Sequence, residues 1–84
     1  MLSIYGAKWC PHTKATVNYL KEHNISFQYH EMEEQTEEVT KKVIEANGGE
    51  DWVVPTLEFK GKWREGKSFN PQELKADLKK MGVI

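Results

Sequence analysis

A single cysteine in 84 residues is the feature that most limits how this chain can fold. A domain of this length sits at the small end for a self-sufficient core, and one thiol cannot staple it with an internal disulfide. Packed strands and helices must therefore hold it together. Enough apolar material is present: hydrophobic residues make up 38% of the chain, with three Trp, three Tyr and three Phe. That composition describes one folded globular domain over residues 1–84.

The segments alternate in period. L-S-I-Y, residues 2–5, places Leu2 and Ile4 on one face and reads as a strand. Pro11 suits the first position of a helix that runs to about His23, with Val17 and Leu20 inward and Asn24 as a left-handed stop. S-F-Q-Y-H-E-M, residues 26–32, is a second strand, and residues 31–35 form a connection. Thr36 then caps a helix with Glu37 and Glu38 in its first turn, a Val39, Val43, Ala46 stripe, and Gly48-Gly49 as its end. Residues 53–59 read as a strand, Lys60-Gly61 as a tight turn and residues 62–65 as the returning strand. The last helix has Asn70 as cap, Pro71 at its first position, Glu73 reaching back to the cap, a Leu74, Leu78, Met81 stripe and Gly82 as its close.

The order is β-α-β-α-β-β-α. A helix between the first two strands makes them parallel, with a right-handed crossover, and the last two form an antiparallel hairpin. The expected architecture is α/β: one four-stranded mixed sheet with helices on both faces.

In such a sheet, sites gather beyond the carboxyl ends of the parallel strands, where helices begin. K-W-C-P-H-T-K, Lys8 to Lys14, lies there. Cys10 falls at the cap, so the backbone N–H groups of His12 and Thr13, which lack helical partners, are placed to face its sulfur. Together with the positive end of the helix and nearby Lys8, they favour a thiolate over a thiol. The Thr13 hydroxyl is a further donor to the sulfur. The competing reading is that Cys10 is a small buried hydrophobe. V-V-P-T, Val53 to Thr56, adds a proline at a strand start, a position suited to an edge or to a blocked ladder.

Taken together, W-C-P-H-T, V-V-P-T and K-G-K-W-R-E-G make the chain resemble the glutaredoxin branch of the thioredoxin fold over essentially its full length. The resemblance implies a thiol–disulfide oxidoreductase with glutathione as co-substrate and no tightly bound cofactor. It implies Cys10 as the nucleophile, set off by Pro11 and Thr13. It also implies a cis valine–proline bond that puts Val54 and Pro55 beside Cys10, with the Val54 backbone pairing to an extended thiol substrate. Lys8 matches a lysine that meets the glutathione glycine carboxylate, one position nearer the cysteine than usual. His12 stands where an aromatic residue often lines the groove, and Trp9 lines the groove or packs beneath the helix. Lys41 or Lys42 is a second partner for the same carboxylate. Gly66 and Ser68 stand in the loop that holds the γ-glutamyl end, where the family's acidic residue is missing.

With Thr13 in place of a second cysteine, an internal disulfide cannot close. A monothiol route is expected: Cys10 attacks a glutathione mixed disulfide or a protein disulfide, and free glutathione resolves the adduct. Two alternatives stand beside it. One is a glutathione-dependent [2Fe–2S] cluster carrier, whose usual Gly-Phe-Ser is replaced here by Pro11-His12-Thr13. The other is a form in which Thr13 replaces a resolving cysteine and traps mixed disulfides without full turnover. Cys10 and His12 make a Cys-x-His pair with no second pair at zinc spacing, so no metal site is expected.

The remaining expectations come from charge and hydropathy. Net charge is −1 with mixed signs, so nucleic acid is not an expected partner. No apolar run reaches the ~20 residues of a membrane helix, and M-L-S-I-Y-G lacks the layout of a secretory leader. The resemblance, in turn, implies glutathione and disulfide-containing or glutathionylated proteins as partners. A cytoplasmic monomer is expected.

Overall fold

The computed structural model describes residues 1–84. Its elements are β1 (Leu2–Gly6), α1 (Pro11–Glu22), β2 (Phe27–Glu31), a 3₁₀ turn at Met32–Glu34, α2 (Glu37–Ala46), β3 (Thr56–Phe59), β4 (Lys62–Arg64) and α3 (Pro71–Met81). The four strands lie in the order β2-β1-β3-β4. β1 and β2 are parallel, and β1–β3 and β3–β4 are antiparallel. This is the mixed sheet of a thioredoxin-like fold. No helix is long and apolar enough to cross a membrane.

Alternation along β1 separates the two faces. Leu2 and Ile4 join Leu20 of α1, Leu57 of β3 and Leu74, Leu78 and Met81 of α3 in the main core. Tyr5 points the other way, where its ring stacks on His30 at 4.7 Å and on Trp63 at 5.7 Å. α2 lies on that second face, with Lys42, Glu45 and Ala46 across an open cleft from Tyr5, Glu58 and Trp63.

The local punctuation follows the side chains. The Thr36 hydroxyl accepts from Val39 N–H at 3.3 Å, and the Asn70 side chain accepts from Glu73 N–H at 3.0 Å. Asn24 takes φ 56° just past α1, and Gly82 takes φ 87° at the end of α3. Lys60 (φ 50°) and Gly61 (φ 84°) form the hairpin turn, and Gly61 N–H donates to the Glu58 carboxylate at 2.7 Å.

Two local expectations change. β3 begins at Thr56, because Val53 to Pro55 turn instead of extending, and the Val54–Pro55 bond is cis. Glu73 does not reach back to its cap. Its carboxylate faces Arg64 and Lys67 at 3.9 Å each, drawn by the buried Arg64 guanidinium. Arg64 donates to Asp77 at 2.7 Å and Lys67 to the same oxygen at 3.3 Å, which ties β4 and the following loop to α3.

Candidate active site

Three segments meet at the carboxyl end of β1. Gly6 closes β1 opposite Glu31, the last residue of β2, while Tyr5 pairs with Thr56, the first residue of β3. The loop from Ala7 to Cys10 therefore leaves the sheet between the end of β2 and the Val53–Pro55 turn, and Pro11 begins α1 at once.

Cys10 is the N-cap of α1, with φ −85° and ψ 119°. Its N–H returns to Ala7 O at 3.0 Å, and Ala7 N–H donates to Thr13 Oγ1 at 3.3 Å. The loop is thus closed on the first turn of the helix. Across it stands the cis turn: Cys10 Sγ lies 3.9 Å from the Val54 carbonyl oxygen, a long and weak S–H···O contact, and Pro55 is buried behind it. Cys10, Pro11, Val54 and Pro55 form one cluster.

The sulfur departs from the sequence expectation. No amide caps it, and Cys10 is only 6% exposed. The sulfur faces the Val54 carbonyl instead. The N–H groups of His12 and Thr13 donate to none of the chain's own oxygens, so they stand open at the helix start. Thr13 does not donate to the sulfur as expected. It is 2% exposed, its oxygen is taken by Ala7 N–H, and its methyl packs so closely on Gly6 that a Cβ there would overlap it.

The other expected site residues separate into two groups. Trp9 is 59% exposed beside Cys10, so it is a rim residue and not core beneath the helix. His12 is exposed, and its Nδ1 accepts from Phe69 N–H at 3.0 Å, pinning the first turn of α1 to the loop before α3. Lys8 has an exposed side chain, while its backbone N–H is held at 3.0 Å by Glu31 Oε1.

Gly66 is not a free loop amide. Its N–H donates to Asn47 Oδ1 at 2.7 Å, and an added Cβ would come within 2.7 Å of the Val53 backbone, so the glycine is there for close packing. Ser68 is exposed on the same loop. Lys42 faces Tyr5, Glu58 and Trp63 on the α2 side of the sheet, and Lys41 is exposed on the same helix.

Two residues that hold the site were not singled out from the sequence. Glu31, 8% exposed, accepts from Lys8 N–H, from the Tyr29 hydroxyl at 2.9 Å and from Glu33 N–H at 3.5 Å. Burial, then the hydrogen bond to Glu31 and its charge, push the Tyr29 hydroxyl far above the ordinary tyrosine value, so Tyr29 stays a donor. Asn47 caps α2 and donates to Val43 O at 2.8 Å and Thr56 Oγ1 at 2.9 Å while accepting from Gly66. Thr56 Oγ1 in turn donates to Val53 O at 2.6 Å. The available signals were weak ones: a carboxylate ending an aromatic strand, and an Asn at a helix end. No group of three or more His, Cys, Asp or Glu side chains is arranged to hold a metal ion.

A cysteine at the start of α1 facing the Val53–Pro55 turn, on a β2-β1-β3-β4 sheet, is the arrangement of a thioredoxin-like domain. The glutaredoxin family model matches residues 2–63, and the chain belongs to that family. Among solved structures, it is similar to the glutaredoxin Grx-1 of Archaeoglobus fulgidus, with 26% identity, a TM-score of 0.70, and coverage of 89% of this chain and 82% of that one. It also shares its fold with the YFFB protein, at 18% identity, a TM-score of 0.68, and coverage of 90% of this chain and 97% of the other. No curated protein matches. Family and fold support an oxidoreductase-like role in thiol–disulfide chemistry.

Proposed function

We propose that the chain reduces glutathione mixed disulfides by a monothiol route through Cys10. The observation that carries this reading is the placement of Cys10 Sγ at the start of α1, 3.9 Å from the Val54 carbonyl in front of Pro55. Val54 offers an extended ligand both backbone groups, since its N–H donates to none of the chain's own oxygens and its carbonyl holds only the sulfur. A ligand N–H that takes this carbonyl displaces the thiol, which then turns toward the open amides of His12 and Thr13. Those amides and the helix end stabilise it as a thiolate. Lys8 supplies a cation for a ligand carboxylate, and Trp9 an apolar wall.

The electron balance is complete without a second cysteine. The Cys10 thiolate attacks the glutathionyl sulfur, a Cys10–glutathione disulfide forms, and the protein sulfur leaves as a thiolate that takes up a proton. A free glutathione thiolate then attacks the glutathionyl sulfur of the adduct. Oxidised glutathione leaves, and Cys10 returns reduced.

The test is deglutathionylation of a mixed-disulfide peptide by the chain, by Cys10→Ser and by Thr13→Cys. Cys10→Ser is expected to lower turnover on the order of a thousandfold or more. The chain itself must turn over. Activity confined to Thr13→Cys would overturn the monothiol reading.

A further inference from the structure

On the other side of the Cys10 loop from Val54, between α1 and β2, lies a groove of about 540 Å³. Lys8, Lys14 and Lys21 line it, with Asn18 between them and Val17 and Tyr29 as its apolar walls. No carboxylate lines it. None of these lysines takes part in an ion pair, since the salt bridges of the chain all involve Arg64 or Lys67. Two carboxylates act on Tyr29: Glu31 is buried and already accepts from Lys8 N–H, Tyr29 OH and Glu33 N–H, and Glu34 is exposed on the 3₁₀ turn outside the groove lining. Glu22, in the last turn of α1, lines a different surface with Tyr19 and Phe69. In a chain with 13 acidic residues and a net charge of −1, this groove is a local excess of positive charge.

We infer that this groove docks an acidic stretch of the polypeptide substrate next to its reacting cysteine. The inference deepens the proposed function and rests on it. The charges run along a track and do not converge on a point. Lys14 and Lys21 are separated by two helical turns, roughly 10 Å, and Lys8 sits in the loop two positions before Cys10. About three to five extended residues span that length, so an acidic peptide segment can meet all three positions along its own backbone. Lysines suit such a partner, because each is a flexible point charge that follows a chain of carboxylates without fixed geometry. The net negative charge of the domain disfavours nucleic acid as the occupant. The track starts at the loop that carries the sulfur, so a substrate held at Val54 crosses Lys8 and Trp9 to reach it.

The experiment uses two glutathionylated peptides that differ only in a run of Asp or a run of Lys beside the cysteine, together with a small glutathione mixed disulfide. The acidic peptide is expected to be reduced with about 5- to 20-fold higher kcat/KM at low ionic strength, a preference that shrinks as salt is added. Lys14→Glu combined with Lys21→Glu is expected to reverse the preference, with each peptide rate read relative to that of the small disulfide so that any general change at Cys10 cancels. Circular dichroism confirms that the double variant is folded. If the small disulfide is not reduced, the reading of Cys10 fails. If it is reduced while both peptides react equally, or the double variant keeps the acidic preference, the docking inference alone is overturned. Competition by an oligodeoxynucleotide but not by an acidic peptide would overturn it too.

Discussion

The two walls of the Cys10 loop are held by different chemistry. On the β2 side a buried carboxylate does the work: Glu31 holds Lys8 N–H and the Tyr29 hydroxyl, so the loop is fixed by charge-assisted bonds. On the β3 side a neutral amide does it: Asn47 links α2, Thr56 and Gly66, and Thr56 passes the link to Val53. The charged wall borders the lysine groove, and the neutral wall borders the turn that presents Val54. The contrast assigns each wall a task. The charged wall fixes the backbone of the loop that leads to Cys10. The neutral wall fixes the turn that faces the Cys10 sulfur.

The neutral wall is expected to be the more fragile. Asn47→Ala removes three hydrogen bonds and leaves Gly66 N–H without its partner, and should lower stability by about 2–4 kcal/mol in urea unfolding. Activity should fall with it, because the Val54 turn loses its tie. An unchanged midpoint would show that the hub carries no weight.

The charged wall can be dissected by charge and by hydrogen bonding. Glu31→Leu is expected to cost about 2–3 kcal/mol, since Lys8 N–H and Tyr29 OH lose their acceptor, while Glu31→Gln keeps an acceptor and should cost only about 1 kcal/mol. Equal losses in the two variants would mean that charge, not acceptance, fixes the loop.

A control outside both walls gives the smallest effect. Burial acts to raise the Asp77 carboxyl, but hydrogen bonds and charge from Arg64 and Lys67 outweigh it and hold the group below its ordinary value of 3.8. A lowered carboxyl stabilises the fold fully above that ordinary value, and the contribution is lost as pH falls through the lower folded value. Asp77→Asn should cost about 1 kcal/mol at neutral pH and flatten the acid limb of a stability–pH curve. Neither wall should respond. A loss of Cys10 reactivity in this variant would show the α3 ion pair to be coupled to the site.

What the sequence made legible was local. Pro11, Thr36, Asn70 and Gly82 mark helix ends through neighbours within a few positions, and the apolar periods of β1 and α3 place their cores. The placement of Cys10 at a helix start rests on the same short-range logic. The walls of the loop were not legible, because their bonds join residues 23 positions apart in one case and 19 in the other. Glu31 reads only as the start of a connection and Asn47 only as the end of a helix until the sheet register brings them to the loop. Val53 to Pro55 read as strand because their side chains are strand-like, whereas the proline turns the backbone. Thr13 reads as a donor to the sulfur and Gly66 as part of a ligand loop, and the structure engages both in packing and internal hydrogen bonding.

The contact between Thr13 and Gly6 bears on which side chains position 13 can hold. Threonine is bulkier than cysteine at the branching carbon, and it already fits against a residue with no side chain of its own. A sulfur at position 13 therefore needs no remodelling of the backbone, and the cost is the acceptor that Ala7 N–H now uses. On this scaffold one substitution at position 13 separates a domain with one thiol from a domain with two, and the bare Gly6 leaves room for either side chain.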